Sequence, residues 1–226
     1  MTGKRAGMLA VLVLAAIAVL AGSSVWAVDE PVVGHFSFGA SFPQGDAGKV
    51  LKDGWAMHGG ATWFSPNKPS LGLRLDFGID WFDMKNEFLA GIDTNPNTEI
   101  VEPPDNGYLR AWSATADLMW NPRSKGKVGV YLVAGVGIYY TQAWLSEYGY
   151  GTGYYCDPWW GVCYPGIVEG EYLLESQSNW EWGLNAGVGL TFKTGGRSEI
   201  YLESVYHWID SSSSAQFFPV SIGFRW

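Results

Sequence analysis

Along much of this chain apolar and polar residues alternate one by one, the period of a β-strand, whose successive side chains point to opposite faces. From Trp180 to Lys193, one face carries Trp180, Trp182, Leu184, Ala186, Val188, Leu190 and Phe192. The other carries Glu181, Gly183, Asn185, Gly187, Gly189, Thr191 and Lys193. Leu71, Leu73, Leu75, Phe77, Ile79 and Trp81 oppose Gly72, Arg74, Asp76, Gly78 and Asp80 in the same way. Weaker versions of the pattern predict strands near 35–44, 55–64, 109–121, 127–142, 198–209 and 216–226, which brings the number to eight. Tight connections at 65–69, 122–126 and 194–197, built from Ser, Pro, Asn, Lys and Gly, alternate with a second set at 45–54, 83–107, 143–178 and 210–215. Two of these, 83–107 and 143–178, read as long loops. Even strand number and two-sided connections predict an all-β fold, an eight-stranded antiparallel up-and-down β-barrel.

Alternation does not say which face is outside, and a soluble eight-stranded barrel of the lipocalin kind would turn its apolar side inward. Side-chain volume decides. The polar face is rich in glycine (Gly39, Gly60, Gly72, Gly78, Gly135, Gly137 and others), which suits a narrow lumen better than a solvated exterior. The apolar face carries Trp55, Trp63, Trp81, Trp112, Trp120, Trp208 and Trp226, many near strand ends, as in the aromatic belts at the two interfaces of a membrane. The barrel is therefore read as transmembrane.

The N-terminus reads separately. Lys4 and Arg5 precede an apolar run from Met8 to Ala21, followed by Val25 and Ala27 ahead of a cleavage point before Val28, the layout of a cleavable signal peptide over residues 1–27. The mature barrel domain is expected to span 28–226. The formal net charge of −8 becomes more negative once Lys4 and Arg5 are removed, which argues against nucleic acid as a partner.

The segment Trp182 to Gly189, then Tyr201, Leu202 and Glu203 through Tyr206 and His207, then Phe218 to Phe224, resembles the outer-membrane protein β-barrel family of small barrels related to the OmpA-type transmembrane domain. Tyr131 to Tyr139 is similar to that family's central strand. The alternating Val220, Ile222, Phe224 and Trp226 resemble its C-terminal assembly signal, with Trp226 where Phe is usual. The resemblance implies a multi-pass protein of the bacterial outer membrane, with both termini in the periplasm and long loops outside. The implied partners are the barrel assembly machinery during biogenesis, outer-membrane lipid and lipopolysaccharide, and an extracellular ligand. No peptidoglycan-binding domain is expected after Trp226.

Candidate chemistry falls in two places. Arg74, Asp76, Asp80, Asp117, Glu181, Lys193, Glu203, His207 and Arg225, with His35 and His58, are placed inside the lumen, where charges must pair or stay wet. They are expected to form an ion network filling the barrel; the alternative is a narrow channel for ions or small solutes. The 143–178 loop holds Cys156 and Cys163, which in an exported protein point to a local disulfide. Tyr154, Tyr155, Trp159, Trp160 and Tyr164 around them are candidate recognition residues. His207, Asp210 and Ser211 are the one grouping that suggests a lipid-modifying hydrolase, but no motif supplies an orienting group or an oxyanion hole. No catalytic residue, metal ligand or cofactor is assigned. The expected role is a non-enzymatic structural or surface-interaction protein.

Overall fold

The computed structural model describes residues 32–92, 104–122, 127–156, 163–194, 198–210 and 215–226. Within them eight antiparallel strands form one closed barrel in chain order: β1 (Val32–Gln44), β2 (Gly54–Phe64), β3 (Leu71–Asp83), β4 (Asn106–Trp120), β5 (Val128–Cys156), β6 (Cys163–Lys193), β7 (Glu199–Ile209) and β8 (Gln216–Arg225). β8 pairs with β1 from Gln44↔Gln216 to His35↔Arg225, so the sheet has no open edge in the barrel wall. The β7–β8 ladder passes from Ser204↔Val220 directly to His207↔Phe217, at the place where Pro219 has no N–H to contribute. The expected signal, 1–27, lies outside the described residues.

The end of the barrel with Val32, Trp226 and the turn at 65–70 is called the lower end here, and the opposite end the upper. The outward face is apolar and open. Phe77 is 64% exposed, Leu118 71%, Val136 57% and Ile222 62%. The inward face holds the polar residues, with Arg74, Asp76, Asp80, Asp117 and Glu203 all buried. Inward glycines make room for large rings. A Cβ on Gly189 would run into the Tyr131 ring, one on Gly223 into the Tyr201 ring, and one on Gly78 into the His58 imidazole.

Two parts of the upper end differ from the sequence reading. The 143–178 segment is not one long loop. β5 continues to Cys156 and β6 begins at Cys163, paired as far as Cys156↔Cys163, with a register shift between Leu145 and Ser146. Pairing of β4 with β5 stops at Asn106↔Ser146, and pairing of β6 with β7 stops at Gly183↔Ile209. The two strands thus go on above the wall as a ribbon, about 34 Å long from Ser146 at ~3.4 Å per residue. Period two fades where β6 runs beyond the end of β7, since from Leu173 to Trp180 every residue is exposed, whichever way it points. The first two upper connections carry short helices, α1 (Ala47–Val50) and α2 (Asn86–Ala90), where only loop was expected. A bridge between Leu51 and Met84 and the bonds Lys52 N→Asp83 O and Lys85 N→Val50 O tie these connections together over the barrel mouth.

Candidate functional site

Strand pairing brings lumen side chains that are far apart in sequence into one polar layer. Arg74 on β3 donates to Asp76 on its own strand (2.7 Å) and to Glu203 on β7 (2.5 Å), the strand on the opposite wall. Tyr131 on β5 donates to the same Glu203 (2.8 Å). Asp76 is also met by His35 Nε2 at 2.6 Å and His58 Nδ1 at 3.1 Å, so β1, β2, β3, β5 and β7 share one network. Asp117 on β4 accepts from Asn185 on β6 (2.8 Å) and from Thr115 (3.1 Å). Asp80 is fully buried, with His58 Nε2 at 3.5 Å. The gap among these side chains measures about 10 Å³, room for roughly one water molecule.

Apolar groups close the layer above and below. The upper cluster contains Leu51, Phe82, Met84, Leu89, Tyr139 and Phe217, so both capped connections send a side chain into the mouth. Beneath the lid lies an apolar cavity of about 250 Å³, bordered by Val50, Leu109, Ile209 and Phe217. The lower cluster contains Met119, Tyr131, Val133, Tyr201 and Val205. Arg225 sits in this lower part, its guanidinium 4.6 Å from the Tyr131 ring centre and 5.0 Å from that of Tyr201, with Glu199 at 4.0 Å.

Of the proposed network residues, Arg74, Asp76 and Glu203 are joined directly, and Asp80 is reached through His58. Asp117 binds Asn185 instead, and Arg225 stacks on tyrosines. Glu181 and Lys193 stand toward opposite ends of β6: Glu181 is half-buried opposite Tyr139, and Lys193 is exposed opposite Glu199. His207 is buried, with Nδ1 2.8 Å from the Tyr139 hydroxyl and its ring stacked on Phe217. Asp210 is exposed at the rim and Ser211 lies outside the described residues, so the hydrolase grouping does not converge on a described site. Among the described residues no group of three or more His, Cys, Asp or Glu is arranged to hold a metal ion.

On the ribbon, Tyr154 is 73% exposed and Tyr164 58%. Tyr155 is the register partner of Tyr164, and Cys156 of Cys163. Trp159 and Trp160 lie outside the described residues. Tyr148 and Tyr150, further down β5, are exposed as well, and the Tyr148 N–H donates to Asp105 (2.8 Å), tying the base of the ribbon to the segment before β4. The ribbon therefore lifts aromatic side chains clear of the barrel.

Sequence reading missed Tyr131 and Tyr139 as lumen groups and Arg110 on the outward face. The tyrosines sit at inward parity on β5 and could have been found by counting. Arg110 shares the parity of Trp112, and its place beside Trp81 required the β3–β4 register.

No protein-family model matches this chain, and no curated protein sequence matches it. Solved structures do match. Neisserial surface protein A is 12% identical, with 86% of this chain and 94% of that one covered and a TM-score of 0.47. A major outer membrane protein from Thermus thermophilus is 14% identical, covering 86% and 98%, with a TM-score of 0.49. The attachment invasion locus protein Ail of Yersinia pestis is 15% identical, covering 86% and 99%, with a TM-score of 0.44. The chain's own closed strand order and outward apolar face make it a small eight-stranded antiparallel barrel of the kind these outer-membrane proteins display.

Proposed function

We propose that the mature chain is an integral protein of the bacterial outer membrane with a closed lumen, and that it acts without catalysis by presenting the β5–β6 ribbon to an extracellular partner. The observation that carries this is a contrast: the outward wall is an apolar belt with a packed polar interior, whereas the ribbon above it exposes aromatic residues on a two-stranded support. A rigid frame holding exposed aromatics is a common way to build a recognition surface. A central space of about 10 Å³ between two apolar clusters gives the channel reading no support.

In this reading residues 1–27 are removed as a signal peptide, the assembly machinery inserts the barrel, and both termini face the periplasm. The ribbon and the capped connections face outside, against lipopolysaccharide. Cys156 and Cys163, register partners at the last described pair of the ribbon, form a disulfide that clamps its tip.

The test is to refold residues 28–226 into vesicles and planar bilayers, then compare gel mobility with and without heating, conductance, and retention on an array of glycans and matrix proteins. Heat-dependent mobility, silent bilayers and retention that disappears in the Trp159→Ala, Trp160→Ala double variant are expected. Steady channels would replace this reading with transport, and retention that survives the double variant would move recognition away from the ribbon tip.

A further inference from the structure

From the lower end up to the level of Trp81, the outward positions of the eight strands carry apolar, small or neutral polar residues, Arg110 excepted. Up to that level it is the sole charged side chain on that face among the described residues, and the next one along β3 is Asp83, two residues beyond Trp81. Its surroundings are aromatic. Arg110 is the register partner of Trp81, with its guanidinium carbon 3.9 Å from the Trp81 ring centre and 4.9 Å from that of Trp144. Trp81 stacks in turn on Trp55, ring centres 5.9 Å apart, and makes an edge-to-face contact with Tyr108, ring centres 6.3 Å apart. The Nε of Arg110 is shielded from solvent and has no acceptor among the described residues, and no described carboxylate pairs with the guanidinium.

Height along the wall matters next. Leu71 at the lower end and Trp81 are ten residues apart on β3, about 34 Å along the strand and roughly 25 Å along the axis of a barrel whose strands tilt by ~40°. That is the height of the apolar band of an outer-membrane barrel, so Arg110 stands where acyl chains give way to headgroups. A cation there, set against two indole rings and with no ion-pair partner among the described residues, is costly unless something negative meets it. Guanidinium is the group best suited to a phosphate, since it donates through two parallel N–H groups and can stack at the same time.

We propose that Arg110, held between Trp81 and Trp144, binds the phosphate of a phosphorylated lipid in the outer leaflet, with the indoles packing against the lipid's apolar part. The aromatic walls and surrounding hydrocarbon favour an amphiphile over a free anion. The inference rests on the outer-membrane reading above and goes beyond it by giving one lipid a place on the wall.

The test uses the refolded 28–226 chain and native mass spectrometry, titrating a synthetic bis-phosphorylated lipid A and its dephosphorylated form, with inorganic phosphate as competitor. The wild type should hold one phosphorylated lipid with a preference of about tenfold or more over the dephosphorylated form, as expected for a charge-assisted bond. R110Q should abolish the preference, R110K should keep only part of it, and millimolar inorganic phosphate should leave the lipid bound. Equal retention of the two lipids by the wild type, or an undiminished preference in R110Q, would overturn the proposal. Displacement by inorganic phosphate would overturn the lipid as ligand. If R110Q does not fold, the wild-type lipid comparison and R110K decide. A wild type without heat-dependent gel mobility in any vesicle would count against the membrane reading itself, a result separate from all of these.

Discussion

The lower and upper parts of β5 and β6 are one continuous pair of strands in two different settings. Between Val128 and Tyr139 on β5, and between Glu181 and Phe192 on β6, the strands sit in a wall with apolar surroundings on one side and a packed polar layer on the other, and their side chains sort by parity. Above that level the sorting ends, with Tyr140 to Leu145 half-buried throughout and Leu173 to Trp180 exposed throughout, although the backbone pairing runs on to Cys156↔Cys163. Hydrogen bonding makes the strand in both places. The alternation records a difference between the two sides, and along β6 beyond the end of β7 that difference is gone.

Four substitutions would break or sharpen this comparison. The largest effect is expected at the centre of the wall's inner face. Arg74→Met leaves Glu203 and Asp76 buried without their cation, and should cost about 3–5 kcal/mol in urea unfolding of the vesicle-embedded protein. An unchanged midpoint would mean that the polar layer is hydrated and the cross-lumen tie is dispensable. Next comes the outer face at mid-height. Val136→Arg should cost about 2–4 kcal/mol in the same assay, the depth-dependent penalty for a cation on a lipid face, and a neutral result would count against that face meeting lipid.

A smaller effect belongs to the lumen glycines. Gly189→Val pushes a side chain into the Tyr131 ring and should cost about 1–3 kcal/mol, and pairing it with Tyr131→Ala should restore part of the loss. The smallest is in the ribbon. Tyr150→Ser, at a residue 78% exposed, should change stability by no more than about 0.5 kcal/mol, so any loss of partner retention would report on recognition alone.

The wall was legible because each of its strands separates two environments. Leu71 to Trp81 and Trp180 to Lys193 carry their orientation in the one-dimensional pattern, and the inward glycines hinted at the narrow lumen. Loop-borne structure was not legible. α1 and α2 have four and five residues, too short for a helical period to emerge, and they persist through tertiary ties such as the Leu51–Met84 bridge. The polar layer was readable as a set of residues and not as a set of bonds. Arg74 and Glu203 are 129 residues apart, and only closure of the sheet sets β3 opposite β7. Arg110 was missed for a related reason: an arginine in a strand looks like any solvated charge until the register places Trp81 and Trp144 against it.

The seam between β1 and β8 also bears on how such a wall can be assembled. The strand that completes the sheet is the last of the eight along the chain and must find the first, nearly two hundred residues away, before either has a full set of partners. Until it does, every bond across the polar layer is provisional, and the charges meant for the interior have no sheltered place. Contacts of such long range form slowly and late. Completion is thus a single decisive event, in which a stretch of ten residues, Gln216–Arg225, converts an open, sticky ribbon of seven strands into a cylinder with no edge left to share.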